Sequence, residues 1–138
     1  MKEAGVMLII RDGLILGITR RHDKNIFGLP GGKKDPTDKD TKETAIRETR
    51  EETSVVVNDC VFLYERVELG DGPTGVDYYS RVYYATDWEG NPCSSEEGDV
   101  KWLTAEEITC SHAAFGDYNR KTLDLFKIKF PDIYLKGE

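Results

Sequence analysis

The sequence is short of cysteine, of basic residues relative to acidic ones, and of long apolar runs. Its cysteines, Cys60, Cys93 and Cys110, number three and have no short metal-type spacing, which argues against a disulfide scaffold or a thiolate zinc site. They read as reduced thiols and point to the cytoplasm. No apolar run approaches the roughly 20 residues that span a bilayer, so no membrane partner is expected. The N-terminal MKEAGVMLII contains Glu3 and is followed at once by Arg11, the pattern of a first strand and not of a signal peptide. Lysine and arginine total 19 against 26 aspartates and glutamates, a net charge of −7, which opposes stable nucleic-acid binding. Repeats, linkers and low-complexity stretches are also missing, so residues 1–138 read as one domain.

What is present is a folded composition, 38% hydrophobic, organised around Leu29 to Val55. A glycine pair, Gly31-Gly32, feeds a polar stretch and then an acidic helix. Asp40 suits an N-cap with Glu43 three residues on, so the helix should start near Thr41. On that helix Arg47, Glu48, Glu51 and Glu52 share one face. Like charges at this spacing repel by a few tenths of a kcal/mol per pair, and a hard divalent ion with oxygen ligands would remove the penalty. The glycines let the backbone approach such a ligand without a Cβ in the way. For any single glutamate a solvated surface position is the commoner state; the combination is what carries weight. A calcium EF-hand loop starting at Asp38 fails, because Lys42, Glu43 and Thr49 occupy positions that need an oxygen ligand, a glycine and a bidentate glutamate.

This stretch resembles the Nudix box: Gly, five residues, Glu, seven residues, then Arg-Glu-apolar-any-Glu-Glu-any-Gly-apolar. Gly32 takes the first position, and Arg47, Glu48, Glu51, Glu52 and Val55 match the second half. Asp38 stands where the family has Glu, Arg47 arrives one residue late, Thr49 replaces an apolar residue and Ser54 replaces the glycine. Asp38 or Asp40 could substitute for the missing Glu, and with Ser54 for Gly the helix end is expected to be shaped differently.

Elsewhere, Val6 to Ile10 and Leu14 to Thr19 flank Asp12-Gly13 and read as an opening hairpin. Strands follow at Val55 to Leu69, Val76 to Ala85 and Val100 to Leu103, with a loop at Trp88 to Gly98, a small helix at Ala105 to Ile108 and a covering C-terminal helix from about Asp117 to Pro131. Alternation puts Tyr79, Arg81 and Tyr83 on one face and Tyr78, Ser80, Val82 and Tyr84 on the other. A helix as polar as the acidic one needs a sheet behind it.

The resemblance implies an α+β fold, a mixed β-sheet sandwiched between α-helices. It implies Mg²⁺, with Mn²⁺ as the alternative, held by Glu48, Glu51, Glu52 and Glu97 with the Gly31 carbonyl. Glu97, with Glu96 as the fallback, matches an acidic loop residue of MutT-like members. Glu51 or Glu97 is expected as the base, and Arg47 as the group that holds a carboxylate, Glu51 or Asp38, in place. Arg21, Phe27, Leu29, Gly32 and Asn119 are the expected substrate contacts. Phe27 suits core packing as well as a base pocket, and Asn119 a helix cap as well as a base reader. The implied reaction is hydrolysis of a diphosphate linkage in a small-molecule nucleotide, a nucleoside triphosphate cut to monophosphate and pyrophosphate. ADP-ribose or another nucleotide sugar, and a nucleotide-binding module without catalysis, are the alternatives. Monomer and homodimer are both compatible with the sequence.

Overall fold

A computed structural model describes residues 2–20, 23–68, 77–110 and 113–138, without the side chains of residues 20, 23, 24 and 113–115. The chain opens with strands β1 (Lys2–Leu8), β2 (Ile10–Arg11), β3 (Leu14–Arg20), β4 (Asp23–Gly28) and β5 (Gly31–Lys33), then enters helix α1 (Thr41–Thr53). Strands β6 (Val56–Glu68), β7 (Tyr78–Glu89) and β8 (Val100–Leu103) follow, then helices α2 (Ala105–Thr109) and α3 (Ala113–Lys129).

The first apolar run serves two sheets instead of one hairpin. β1 lies inside a mixed sheet of order β5-β1-β7-β6, parallel to β7 and antiparallel to β5. After Ile9 the chain crosses to a second, antiparallel sheet, where β2 and β3 pair across Asp12-Gly13. Both turn residues have positive φ, 52° and 79°, as a two-residue hairpin of this kind requires. β3 also pairs with β4 and with β8. The alternation within Val6 to Ile9 explains the division, because both faces of this run are buried. Met7 and Ile9 join a core with Leu16, Ala45, Val55, Val57, Tyr83 and Ala85 on the α1 side. Val6 and Leu8 join another with Val82, Leu103, Leu123 and Phe126 on the α3 side. The mixed sheet is thus held between α1 and α3.

The two faces read for β7 are as expected: Tyr83 belongs to the α1-side core, while Val82 and Tyr84 pack in the α3-side core. β7 runs on to Glu89, past Ala85, because β6 pairs with it as far as Val56↔Glu89. Likewise α3 begins at Ala113, ahead of the expected Asp117. The Gly70 to Gly75 loop lies outside the described residues.

The inner face of α1 is mostly threonine: Thr41, Thr44, Thr49 and Thr53 are buried with Ala45. Burying hydroxyls is unfavourable unless they are bonded. Thr41 Oγ1 shares a 2.7 Å hydrogen bond with the Tyr83 hydroxyl, and Thr53 Oγ1 donates to the Thr49 carbonyl at 2.6 Å. The first of these crosses to β7 and supplements a thin apolar stripe in holding the helix to its sheet, the second stays within the helix, and buried Thr49 Oγ1 has no hydrogen-bond partner among the described residues.

Candidate active site

Helix α1 starts and stops through local chemistry. The Asp40 carboxylate accepts the Glu43 N–H at 2.9 Å, satisfying one of the donors left open at a helix start. At the other end Ser54 has φ 70° and its N–H donates to the Arg50 carbonyl at 2.9 Å. The expectation of a differently shaped helix end is therefore corrected. Serine takes the left-handed conformation that glycine favours, because the chain must turn there into buried Val55.

Between these caps the acidic face divides in two. Glu48 and Glu52 meet Glu97 from the loop before β8, and one carboxylate oxygen of each lies within 4.8 Å of the others. Glu51 is exposed and turns to Arg47, whose Nη1 donates to its two carboxylate oxygens at 3.3 and 3.2 Å. Residues i and i+4 share a helix face, and at that spacing Glu48 and Glu52 stack while Arg47 reaches Glu51.

The glycine pair belongs to this cluster. Gly31 meets it through its amide, which donates to Glu52 Oε1 at 2.8 Å. Gly32 lies directly under the Glu48 carboxylate, where an added Cβ would sit 2.6 Å from Glu48 Cδ. Any other residue here would force the Glu48 carboxylate to shift. Burial, reinforced by the charges of Glu48, Glu97 and Glu51, pushes the Glu52 carboxyl up to about 8, against the Gly31 hydrogen bond. Burial also raises Glu48, while Arg47 opposes the rise. Three carboxylates are thus crowded together with too little positive charge beside them.

Arg47 is the hub of the neighbouring network. It grips Asp38 with Nε on Oδ1 at 3.0 Å and Nη2 on Oδ2 at 2.9 Å. It also reaches Glu48 at 3.2 Å and Asp35 at 3.4 Å. Asp38 is buried and further accepts from the Asp35 N–H at 3.0 Å and from Thr44 Oγ1 at 2.9 Å. Its carboxyl is held well below the usual carboxylate range, first by the Arg47 hydrogen bonds. Asp38, not Asp40, takes the place next to Arg47, since Asp40 is spent on the helix cap. The spacing gave no sign of the contributions of Thr44 and Asp35, which follow from how the 34–40 loop folds back.

The expected substrate contacts are more scattered. Arg21 lies outside the described residues. Phe27 and Leu29 are partly buried and pack against the α3-side core. Asn119 is 2% exposed, within α3 and not at its start. Its Nδ2 donates to the Ile108 carbonyl at 2.9 Å and the Phe27 carbonyl at 3.2 Å. Its amide hydrogens thus tie α2 and β4 to α3, and the residue is not the helix cap that was one of the two expectations.

The NUDIX domain family matches residues 1–126 of the sequence. The chain belongs to the Nudix family. Among solved structures, a MutT Nudix hydrolase from Burkholderia pseudomallei superposes with a TM-score of 0.73 at 23% identity, covering 90% of this chain and 96% of that one. The ORF135 protein of E. coli gives a TM-score of 0.75 at 21% identity over 96% and 95% of the two chains. The Nudix domain of Shewanella oneidensis NrtR, solved with ADP ribose, gives 0.66 at 20% identity over 94% and 86%. Among curated proteins none matches.

In this Nudix protein two departures from the box are absorbed locally: Asp38 reaches Arg47, and Ser54 takes the left-handed turn, while at Thr49 the buried hydroxyl is left without a partner among the described residues. The donor set at Glu48, Glu52 and Glu97 is all carboxylate oxygen, suited to hard divalent ions such as Mg²⁺ or Mn²⁺. Burial raises Glu52, and the crowding of carboxylates that adds to the rise fits a cation, which would supply the missing positive charge.

Proposed function

We propose that this Nudix protein hydrolyses a diphosphate linkage in a nucleoside triphosphate, with Mg²⁺ or Mn²⁺ held by Glu48, Glu52 and Glu97. The observation that carries this reading is the convergence of those three carboxylates over the Gly31-Gly32 turn. When bound, the ion neutralises phosphate charge and acidifies water. Glu97, exposed at the rim of the cluster, accepts the proton of the attacking water. The water oxygen bonds to phosphorus as the bridging P–O bond breaks, and the electron pair leaves on the departing phosphate oxygen. Glu51 is the less favoured base because Arg47 engages both of its oxygens. Arg47, fixed by Asp38, holds Glu48 and Glu51 at their stations.

The triphosphate class, with oxidised purine forms included, is supported by the resemblance of Arg20-Arg21, Phe27-Gly28-Leu29, Trp88-Glu89-Gly90 and Glu97-Gly98 to MutT-like members. The three free cysteines fit a reducing compartment, the cytoplasm. A panel of nucleoside triphosphates and nucleotide sugars, assayed with Mg²⁺ or Mn²⁺ and product identification, tests the reading. Pyrophosphate from triphosphates is the expected result. Ribose phosphate from ADP-ribose would replace it with the nucleotide-sugar reading, and stabilisation by nucleotides without any cleavage would make the protein a binding module.

A further inference from the structure

The loop that carries Glu97 is anchored by one side chain of β3. Regular pairing between β3 and β8 ends at Ile18↔Val100. One step further, the Thr19 N–H donates to the Asp99 carbonyl at 2.9 Å. The Asp99 N–H does not return to the backbone, as a continued antiparallel ladder would have it; it donates to Thr19 Oγ1 at 2.9 Å. The Thr19 carbonyl is instead covered by Gly98, where an added Cβ would collide with it. The hydroxyl thus replaces a carbonyl in the ladder and lets the chain leave the strand at Gly98. Thr19 is 5% exposed, so water has little access to take over from its hydroxyl.

The segment beyond this anchor is closed on itself. Ser95 and Gly98 exchange backbone hydrogen bonds of 3.0 and 3.3 Å, and the Glu97 N–H donates to Ser95 Oγ at 3.2 Å. Val100 N–H donates to Ser94 Oγ at 3.1 Å. A turn braced in this way moves as a unit, and Glu97 lies two residues from the point where Thr19 grips it. On the far side the Cys93 N–H donates to the Thr53 carbonyl of α1 at 2.8 Å.

We propose that Thr19 is a positioning residue that holds Glu97 opposite Glu48 and Glu52 through the Asp99 amide. The inference rests on the reading of the cluster given above. Partners bonded directly to a metal ligand commonly account for about 10–100-fold in metal affinity or activity; Thr19 acts one step further out, on the backbone that carries Glu97, so the low end of that range is expected.

The test compares Thr19→Val, which keeps the shape and removes the acceptor, with Thr19→Ser, which keeps the hydroxyl. In the metal-free protein, hydrogen exchange followed by mass spectrometry should be about tenfold faster over residues 94–100 in Thr19→Val, with α1 unchanged and Thr19→Ser like the wild type. Calorimetric titration with Mn²⁺ should give an affinity about tenfold weaker. In a Glu97→Gln background, Thr19→Val should cost nothing more in Mn²⁺ affinity or turnover, because residues acting through one group are not additive. Unchanged exchange over 94–100, or a full added loss on top of Glu97→Gln, overturns the proposal. Should Thr19→Val not fold, Thr19→Ala carries the same comparisons; failure of both to fold marks Thr19 as generally structural and also overturns it. A wild type that binds Mn²⁺ through Glu97 but cleaves no nucleotide would end the proposed function and leave this inference standing.

Discussion

Asp38 and Arg47 are joined by two nearly equal hydrogen bonds, Nε to Oδ1 at 3.0 Å and Nη2 to Oδ2 at 2.9 Å. The aspartate side chain is 3% exposed and the arginine 22%. Without the Asp38 charge the guanidinium keeps Glu48, Glu51 and Asp35 but loses its two shortest charge-assisted bonds. Asp38→Asn should therefore lower stability by about 1.5–3 kcal/mol, read by urea unfolding at neutral pH. The pH dependence has a definite sign. A carboxyl held below its usual range stabilises the fold fully above the unfolded value of about 3.9, and that contribution is lost as pH falls below it. Asp38→Asn should flatten this acid limb, and an unchanged limb would show that other carboxylates govern it.

Glu52 works in the opposite direction. Its carboxyl titrates at about 8 in the fold and at about 4.3 in an unfolded chain. Between those values the folded state keeps a proton that the unfolded state has released, so stability falls as pH rises. The melting temperature of the metal-free protein in chelator should decline from pH 5 to pH 8, and Glu52→Gln should remove most of the slope. Mn²⁺ should reverse it, because binding needs the ionised carboxylate and displaces the proton. A flat profile in the wild type would place Glu52 in water.

Activity should separate the two halves of the acidic face. Glu52→Gln should reduce kcat by orders of magnitude with the fold intact, since Glu52 would be one of the carboxylates holding the ion that offsets phosphate charge. Glu51→Gln should cost less, because Arg47 already occupies that carboxylate. Equal losses at Glu51 and Glu52, measured as kcat with saturating Mg²⁺, would place both in the metal site. Chelator should abolish turnover and added Mg²⁺ should restore it.

Ser54 holds a left-handed conformation at φ 70°, which costs a residue with a Cβ roughly 1–2 kcal/mol. Glycine avoids that cost but loses more freedom on folding. Ser54→Gly should stabilise the protein by about 0.5–1 kcal/mol. A lower melting temperature in Ser54→Gly would mean that the serine side chain makes a contact stronger than the strain.

Much of α1 is legible in the sequence because its determinants are local. Asp40 caps the residue three further on, and the helical period puts Glu48 above Glu52 whatever the rest of the chain does. The same locality identifies the Asp12-Gly13 turn and the alternation of β7. What those rules leave open is which groups meet across the fold. Asn119 combines polarity with a position at which the family resemblance implies base reading, yet the packing of α3 over β4 and α2 spends its amide on two backbone carbonyls. Val6 to Ile10 reads as one apolar run, and only the stacking of two cores shows that alternate residues from Val6 to Ile9 serve different layers.

The sequence by itself determined the start of α1, the stacking of Glu48 over Glu52 and the glycines that keep backbone atoms close to them. These depend on hydrogen bonds and side-chain spacings within a few residues. Only the tertiary structure decided that Asp38 and not Asp40 faces Arg47, that Glu51 leaves the cluster, and that the Thr19 hydroxyl takes the Asp99 amide two residues from Glu97. Contacts between distant residues depend on how sheets and helices stack, and the spacing along one segment carries no record of them.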